Sequence, residues 1–337
     1  MPDMLMIDVL AKPLWMWLTF GAIVAALLAF DLGVLHKDSA KEISVRESLW
    51  LSAFYITMGL CFGAWVWWSI SPQAGVEYLT GFVIEKSLSM DNIFVIAMIF
   101  GYFGIPRANQ YRVLFWGILA VILLRGLMIG VGAALVAQFS WILYVFAAFL
   151  IITGVKMILA ADSAYDVEAN PLLRFMRKRF RITDGLRGER FVVREPDPKT
   201  GRPVLFLTPL FLVLVLVNVA DVIFAVDSVP AIFAITTDTF IVFTSNIFAI
   251  LGLRALYFAL AAMIDRFAYL KYALATVLVF IGGKIIVADM LGIAKVPPAV
   301  SLGATFAILA TGIIFSLWKT RGDAPREADR KTAAEVR

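Results

Sequence analysis

The sequence predicts an all-α protein that crosses a membrane about nine times, built on a 3+3 inverted repeat with discontinuous helices at its centre. Three observations carry that expectation. Of 337 residues, 61% are hydrophobic and 16% charged, with mean hydropathy +0.88, whereas a soluble domain is nearer a quarter charged. Lysine and arginine gather in one alternate set of loops, and three sequence landmarks recur in the same order in the two halves of the chain.

The spans come first. Apolar runs of about 20 residues, the length a bilayer requires, fall at 12–34, 48–70, 79–101, 112–137, 140–160, 205–235, 240–264, 269–290 and 299–319. The chain then divides into two N-terminal spans (1–70), a first repeat of three spans (71–160), a basic loop (161–204), a second repeat (205–295), a last span (296–320) and a tail (321–337). The loops near 35–47, 102–112, 161–204 and 265–271, with the tail and Lys319 just before it, hold 23 of the 30 lysines and arginines, against Lys12 and Lys295 on the other side. The positive-inside rule therefore puts the N-terminus outside and the C-terminus in the cytoplasm. Trp15, Trp17, Trp65, Trp67 and Trp68 fall at the outer interface and read as an anchoring belt. The 161–204 loop, with ten basic residues, reads as a solvated cytoplasmic segment.

Composition also excludes. One cysteine, Cys61, allows no intrachain disulfide and no thiolate metal cluster. One histidine, His36, in an expected loop, allows no His-rich site. A metal site would be mostly oxygen, which suits Mg, Ca or Mn. The net charge of +5 follows from loop placement and does not indicate nucleic acid. The N-terminus has no basic region and no A-x-A site, so no removable signal peptide is read there. No Ser/His/Asp set, H-E-x-x-H, Walker loop or G-x-G-x-x-G supports an enzyme.

The polar residues inside the spans carry the chemistry. Glu85 and Asp91 lie six apart in one apolar run, and Asp221 and Asp227 six apart in another. Carboxylates in hydrocarbon face a partner, an ion or a water-filled path, which makes ion handling the first reading. Interhelical hydrogen bonding is the plain alternative. Ser89, Asn92, Asn218 and Ser228 are placed to add oxygen ligands. Lys86, Arg125, Lys156, Arg254 and Lys284 are the basic residues within spans. Lys156 and Lys284 lie near span ends and can snorkel; Lys86, Arg125 and Arg254 are the candidate charge partners.

The repeat rests on these landmarks. The Glu85/Asp91 pair echoes Asp221/Asp227, the run ending at Arg125 echoes the run ending at Arg254, and Gly154-Val155-Lys156 echoes Gly282-Gly283-Lys284, at offsets of 136, 129 and 128. Three spans per copy give the copies opposite orientation, a transporter architecture. Inversion sets Glu85 level with Asp227, and Asp91 level with Asp221. Six residues of helix rise about 9 Å and turn about 240°, so one ion cannot take both acids of an unbroken helix: either two sites are stacked or the helices break. Pro230 cannot easily continue a helix, so a break in span 6, and more weakly in span 3, is expected to draw the ligands together.

At these residues the sequence resembles the TerC family of integral membrane proteins. The matching motifs are Glu85-Lys86-Ser87-Leu88-Ser89-Met90-Asp91-Asn92, Phe224-Ala225-Val226-Asp227-Ser228-Val229-Pro230-Ala231, and the run from Thr244-Ser245-Asn246 through Gly252-Leu253-Arg254 to Tyr257-Phe258. The likeness covers about 15–320 and extends to the LysE-type inverted-repeat exporters. It implies a manganese exporter of the bacterial inner membrane, with Mn2+ as substrate rather than cofactor and Glu85, Asp91, Asp221 and Asp227 at the family's acidic positions. An acidic residue often precedes the Asp221 position by three in that pattern; here it is Asn218, which lowers the charge of the site. Four carboxylates so close would not all stay ionised without a cation, so protons are the expected coupling ion. A Ca2+/H+ exchanger, or a scaffold for a metal- or tellurite-resistance complex recruiting through 161–204, is the alternative.

Overall fold

The computed structural model describes residues 8–9, 12–35, 45–139, 141–159, 167–168, 170–196, 202–260, 269–291 and 296–320; within these, nothing is stated of the side chains of 8–9, 32–35, 45 and 91. His36, Lys199, Lys295 and the tail beyond 320 lie outside the described residues. The elements are β1 (Asp8–Val9), β2 (Lys12–Pro13), α1 (Leu14–Leu35), α2 (Val45–Ser69), α3 (Pro72–Tyr102), α4 (Arg107–Gln138), α5 (Ile142–Leu159), α6 (Pro171–Arg179), β3 (Val192–Pro196), β4 (Pro203–Leu207), α7 (Pro209–Phe233), α8 (Thr239–Leu251), α9 (Leu253–Leu260), α10 (Leu270–Met290) and α11 (Pro298–Thr320).

Among the described residues seven helices are long and apolar enough to cross a membrane: α1, α2, α4, α5, α7, α10 and α11. The bent pair α8–α9 makes an eighth candidate span. The ninth expected crossing falls on α3. That helix has 31 residues, about 46 Å at 1.5 Å per residue, but it carries Glu77, Glu85, Lys86 and Asp91. Outward side chains are apolar, as lipid demands: Trp68, Leu123, Leu159 and Met290 are all largely exposed. The expected tryptophan belt divides. Trp67 and Trp68 face outward, while Trp15 packs edge-on against Trp65 and Trp17 against Phe240. Those three fill the space between α1, α2 and α8.

The expected helix breaks lie elsewhere. Both α3 and α7 run without interruption. Pro230 sits in the last turn of α7, where its missing N–H costs one bond, to the Val226 carbonyl, and the remaining turn still packs with Ala231, Ile232 and Phe233 fully buried. The break comes at Gly252, where α8 and α9 meet at 40°. A Cβ there would lie 2.8 Å from Lys86 Nζ and 2.9 Å from Tyr55 Cβ, so only glycine fits the approach. Lys86 Nζ donates to the Ala249 carbonyl at 3.0 Å, satisfying an acceptor that the break deprives of its helical partner.

Helices α5 and α10 cross closely through two glycines. A Cβ on Gly154 would lie 2.7 Å from the Ala275 carbonyl oxygen and 2.7 Å from Val279 Cγ2. A Cβ on Gly282 would lie 2.5 Å from the Ala147 carbonyl oxygen and 2.9 Å from Ile151 Cγ1. Each glycine thus meets the residues three and seven before the other. Small residues permit such backbone approach between membrane helices.

The segment between the two halves is more than the solvated loop expected. Asn170 caps α6, accepting from the Leu172 and Leu173 amides. Leu173 and Met176, three apart and so on one face, are buried against Leu210, Leu212 and Val213 at the start of α7. Strands β3 and β4 form an antiparallel hairpin, Val192 opposite Leu207. Arg112 bonds Glu189 at 2.8 Å, and Asn109 donates to the Gly188 carbonyl at 3.2 Å. Arg174, Arg177, Lys178 and Arg179 remain exposed. The basic residues obey the loop expectation while an apolar face underneath folds the segment onto the bundle.

Candidate functional site

The centre of the bundle is built by α3, α4, α7 and α8. Glu85, Ser89 and Asn92 occupy positions i, i+4 and i+7 of α3, and Asn218, Asp221 and Ser228 occupy i, i+3 and i+10 of α7; each set falls on one helix face. Asn246 comes from α8, where Thr244, Ser245 and Asn246 have no exposure at all. Gly81 lets α3 and α8 approach: a Cβ there would lie 2.9 Å from Ser245 Oγ.

Arg125 of α4 enters this space at 1% exposure, meeting Glu85 at 1% and Asp221 at 5%. Its Nε donates to Asp221 Oδ2 and its Nη2 to Asp221 Oδ1, both at 3.0 Å, the paired fork that a guanidinium offers a carboxylate. Its Nη1 donates to Glu85 Oε1, to Ser228 Oγ at 3.2 Å and to Asn246 Oδ1 at 3.1 Å. Around this core, Ser89 Oγ donates to Glu85 Oε1 at 3.3 Å, Asn246 Nδ2 to Glu85 Oε2 at 3.0 Å, and Asn92 Nδ2 to Asp221 Oδ1 at 3.2 Å. Two carboxylates and one guanidinium leave the cluster one negative charge in excess. Two amide oxygens in the same region, Asn92 Oδ1 and Asn218 Oδ1, are buried without a hydrogen-bond partner among the described residues. Asn218 uses its Nδ2 on the Leu214 carbonyl of its own helix at 2.7 Å.

The expected pairing of acids is corrected here. Asp221 meets Glu85 through Arg125, and Asp227 does not join them. Because α7 stays unbroken, the six-residue spacing turns Asp227 about 240° away. It is half-buried beside α5, hydrogen-bonded with Thr153 and close to Lys156. The side chain of Asp91 lies outside the described residues. No group of three or more His, Cys, Asp or Glu gathers closely enough to hold a metal among the described residues. Of the candidate charge partners, Arg125 pairs with the site and Lys86 turns to the Ala249 carbonyl. Arg254 goes elsewhere: it pairs with Asp31 of α1, with its guanidinium 4.2 Å over the Tyr111 ring. The two echoing arginines therefore have different surroundings.

Asn246, Asp31 and Thr153 were not singled out from the sequence. Asn246 sat inside a quoted motif without a role, and its polar side chain in an apolar helix was the available signal. Asp31, near the end of its span, offered the same signal.

The integral membrane protein TerC family matches residues 70–324. This chain belongs to the TerC family. It is 46% identical over 314 residues to an uncharacterised membrane protein of Myxococcus xanthus, covering 93% of this chain and 95% of that one. It is 47% identical over 312 residues to proteins of Shigella flexneri and of Escherichia coli strain K12, covering 90% of this chain and 94% of each. Both are named Alx and described, provisionally, as membrane-bound redox modulators. No solved structure matches. The protein is thus an integral, multi-pass member of a family found in bacteria.

Proposed function

We propose that this TerC-family protein is a secondary carrier that exports divalent metal cations, with Mn2+ as the leading substrate and protons as the counter-ion. The observation that carries the reading is the buried meeting of Glu85 and Asp221, one from each half of the chain, beside the unpartnered amide oxygens of Asn92 and Asn218. Buried polar atoms are normally paired, and an all-oxygen set with carboxylates suits Mn2+ or Ca2+. The choice of Mn2+ rests on family resemblance. The reciprocal α5–α10 crossing, each contact repeating at an offset of 128 residues, supports two copies related by inversion, with α3 as a ninth crossing. Asp227 makes no hydrogen bond to Arg125, and it is the carboxylate proposed to carry a proton. The inner membrane and an outside N-terminus belong to the same proposal.

A scaffold role for the 161–204 segment is less favoured, because its apolar face is spent on the chain's own helices. A thiol-based redox role would rest on Cys61 alone, which lies on the exposed side of α2. Mn2+ and Ca2+ movement in proteoliposomes tests the proposal. Flux should be present in the unaltered protein and absent in Glu85→Gln and Asp221→Asn proteins that still fold. Flux no greater than in empty liposomes defeats the carrier reading.

A further inference from the structure

The guanidinium of Arg125 stands where a substrate cation would have to sit. It takes Asp221 with both arms of its fork and Glu85 with a third donor. A metal bound between the same two carboxylates would share their oxygens with an adjacent positive charge in a low-dielectric setting, and the repulsion is strong at such distances. The two cations therefore exclude each other. The surroundings are suited to an exchange. Arg125 already touches two neutral acceptors, Ser228 Oγ and Asn246 Oδ1, which can hold it when the carboxylates are taken. Asn92 Oδ1 and Asn218 Oδ1 are left unused by the guanidinium, and they are the added ligands a metal on Asp221 could recruit.

We propose that Arg125 is a tethered substitute for the transported cation. It fills the Glu85–Asp221 site in the metal-free protein and yields it when a divalent cation binds. The inference rests on the carrier reading and deepens it. An exporter must return with its metal site vacated, whatever proton Asp227 carries, and returning with two unpaired buried carboxylates there would be costly. The guanidinium lowers that cost by pairing with both carboxylates. Competition between Arg125 and metal also weakens metal binding, because only the fraction of molecules with the site vacated can bind.

Removing the substitute should split two properties that a merely structural arginine would lose together. In Arg125→Gln, Mn2+ binding to purified protein should tighten by about tenfold or more, since nothing now competes for the site. Net Mn2+ efflux from proteoliposomes should fall steeply, because the metal-free carrier cannot return with Glu85 and Asp221 unpaired. Mn2+/Mn2+ exchange, in which the site is loaded in both directions, should persist. Binding that is unchanged or weaker in folded Arg125→Gln protein, or equal loss of exchange and net efflux, overturns the proposal. Arg125→Lys supplies the test if the glutamine variant does not fold. It keeps a cation but loses the fork, so Mn2+ should bind more tightly than in the unaltered protein while net efflux is retained; equal or weaker binding overturns the proposal. Unaltered protein that neither binds nor moves Mn2+ or Ca2+ defeats the carrier reading itself, whereas normal flux with unaltered variant affinity defeats only the role given to Arg125.

Discussion

Placing alanine at Gly154 or Gly282 tests the helix crossing that ties the two halves together. At Gly282 the new Cβ would sit 2.5 Å from the Ala147 carbonyl oxygen, and at Gly154 2.7 Å from the Ala275 carbonyl oxygen. Unstrained contacts are nearer about 3.5 Å, so the deficits are about 1.0 and 0.8 Å. The obstructing atoms are backbone and cannot rotate aside, so α5 and α10 must separate. A gap of 0.5–1 Å already forfeits about a quarter to a half of each contact along a seam, and overpacking of this kind costs about 1–3 kcal/mol. Replacing helical glycine by alanine returns about 1 kcal/mol. Gly130→Ala, with nothing within 4 Å of its Cβ, isolates that gain. Each crossing variant should therefore be about 2 kcal/mol less stable than Gly130→Ala in reversible unfolding in mixed micelles. One separation relieves both clashes, so the double variant should cost about 1 kcal/mol less than the sum of the singles. Single variants as stable as Gly130→Ala, or a strictly additive double, would refute the crossing.

Three further outcomes follow from other parts of the molecule. Asp31→Asn leaves the Arg254 charge buried without its counter-ion and should cost about 3–5 kcal/mol in the same assay, whereas Asp31→Leu combined with Arg254→Met should recover most of the loss. Asp238 caps α8 through the Phe240 and Ile241 amides at 3.0 and 3.4 Å; Asp238→Ala should cost about 1 kcal/mol, and Asp238→Asn, which keeps the cap and loses only the partly exposed ion pair with Lys12, less than about 1 kcal/mol. A cysteine at Asp184 in a Cys61→Ser background should react with an impermeant maleimide from the cytoplasmic face only, and labelling from outside would reverse the orientation proposed for the chain.

Much of this was legible in the sequence for a simple reason. Lipid contact forces long apolar runs and exiles lysine and arginine to loops, so helices and their order follow from composition. Buried charges are rare enough that Glu85, Arg125 and Asp221 announced themselves one by one. Their partners did not. The offset repeat led to the expectation that Glu85 would lie level with Asp227, because it treats the copies as equivalent. It could not show that Arg125 would enter the centre while Arg254 turned to Asp31, since Asp31 comes from α1, which lies outside the proposed repeat. The break was misplaced for a similar reason. Proline is a conspicuous signal, yet at the end of α7 it costs little, whereas the bend at Gly252 depends on Lys86 and Tyr55 arriving from other helices.

The bonds of Arg125 also bear on the order in which the chain can assemble. Its partners lie 40, 96, 103 and 121 residues away along the chain. Helices enter a bilayer before they associate, so α4 is inserted while Asp221, Ser228 and Asn246 have yet to be synthesised. Glu85 is the exception. It precedes Arg125, lies in the helix immediately before, and can neutralise the guanidinium from the moment α4 reaches the membrane. The nascent first half thus already contains an acid and a base of opposite charge, whereas the second carboxylate, Asp221, is made later. Placing the acid ahead of the base in consecutive helices makes the most polar part of the finished protein also the earliest to be made tolerable.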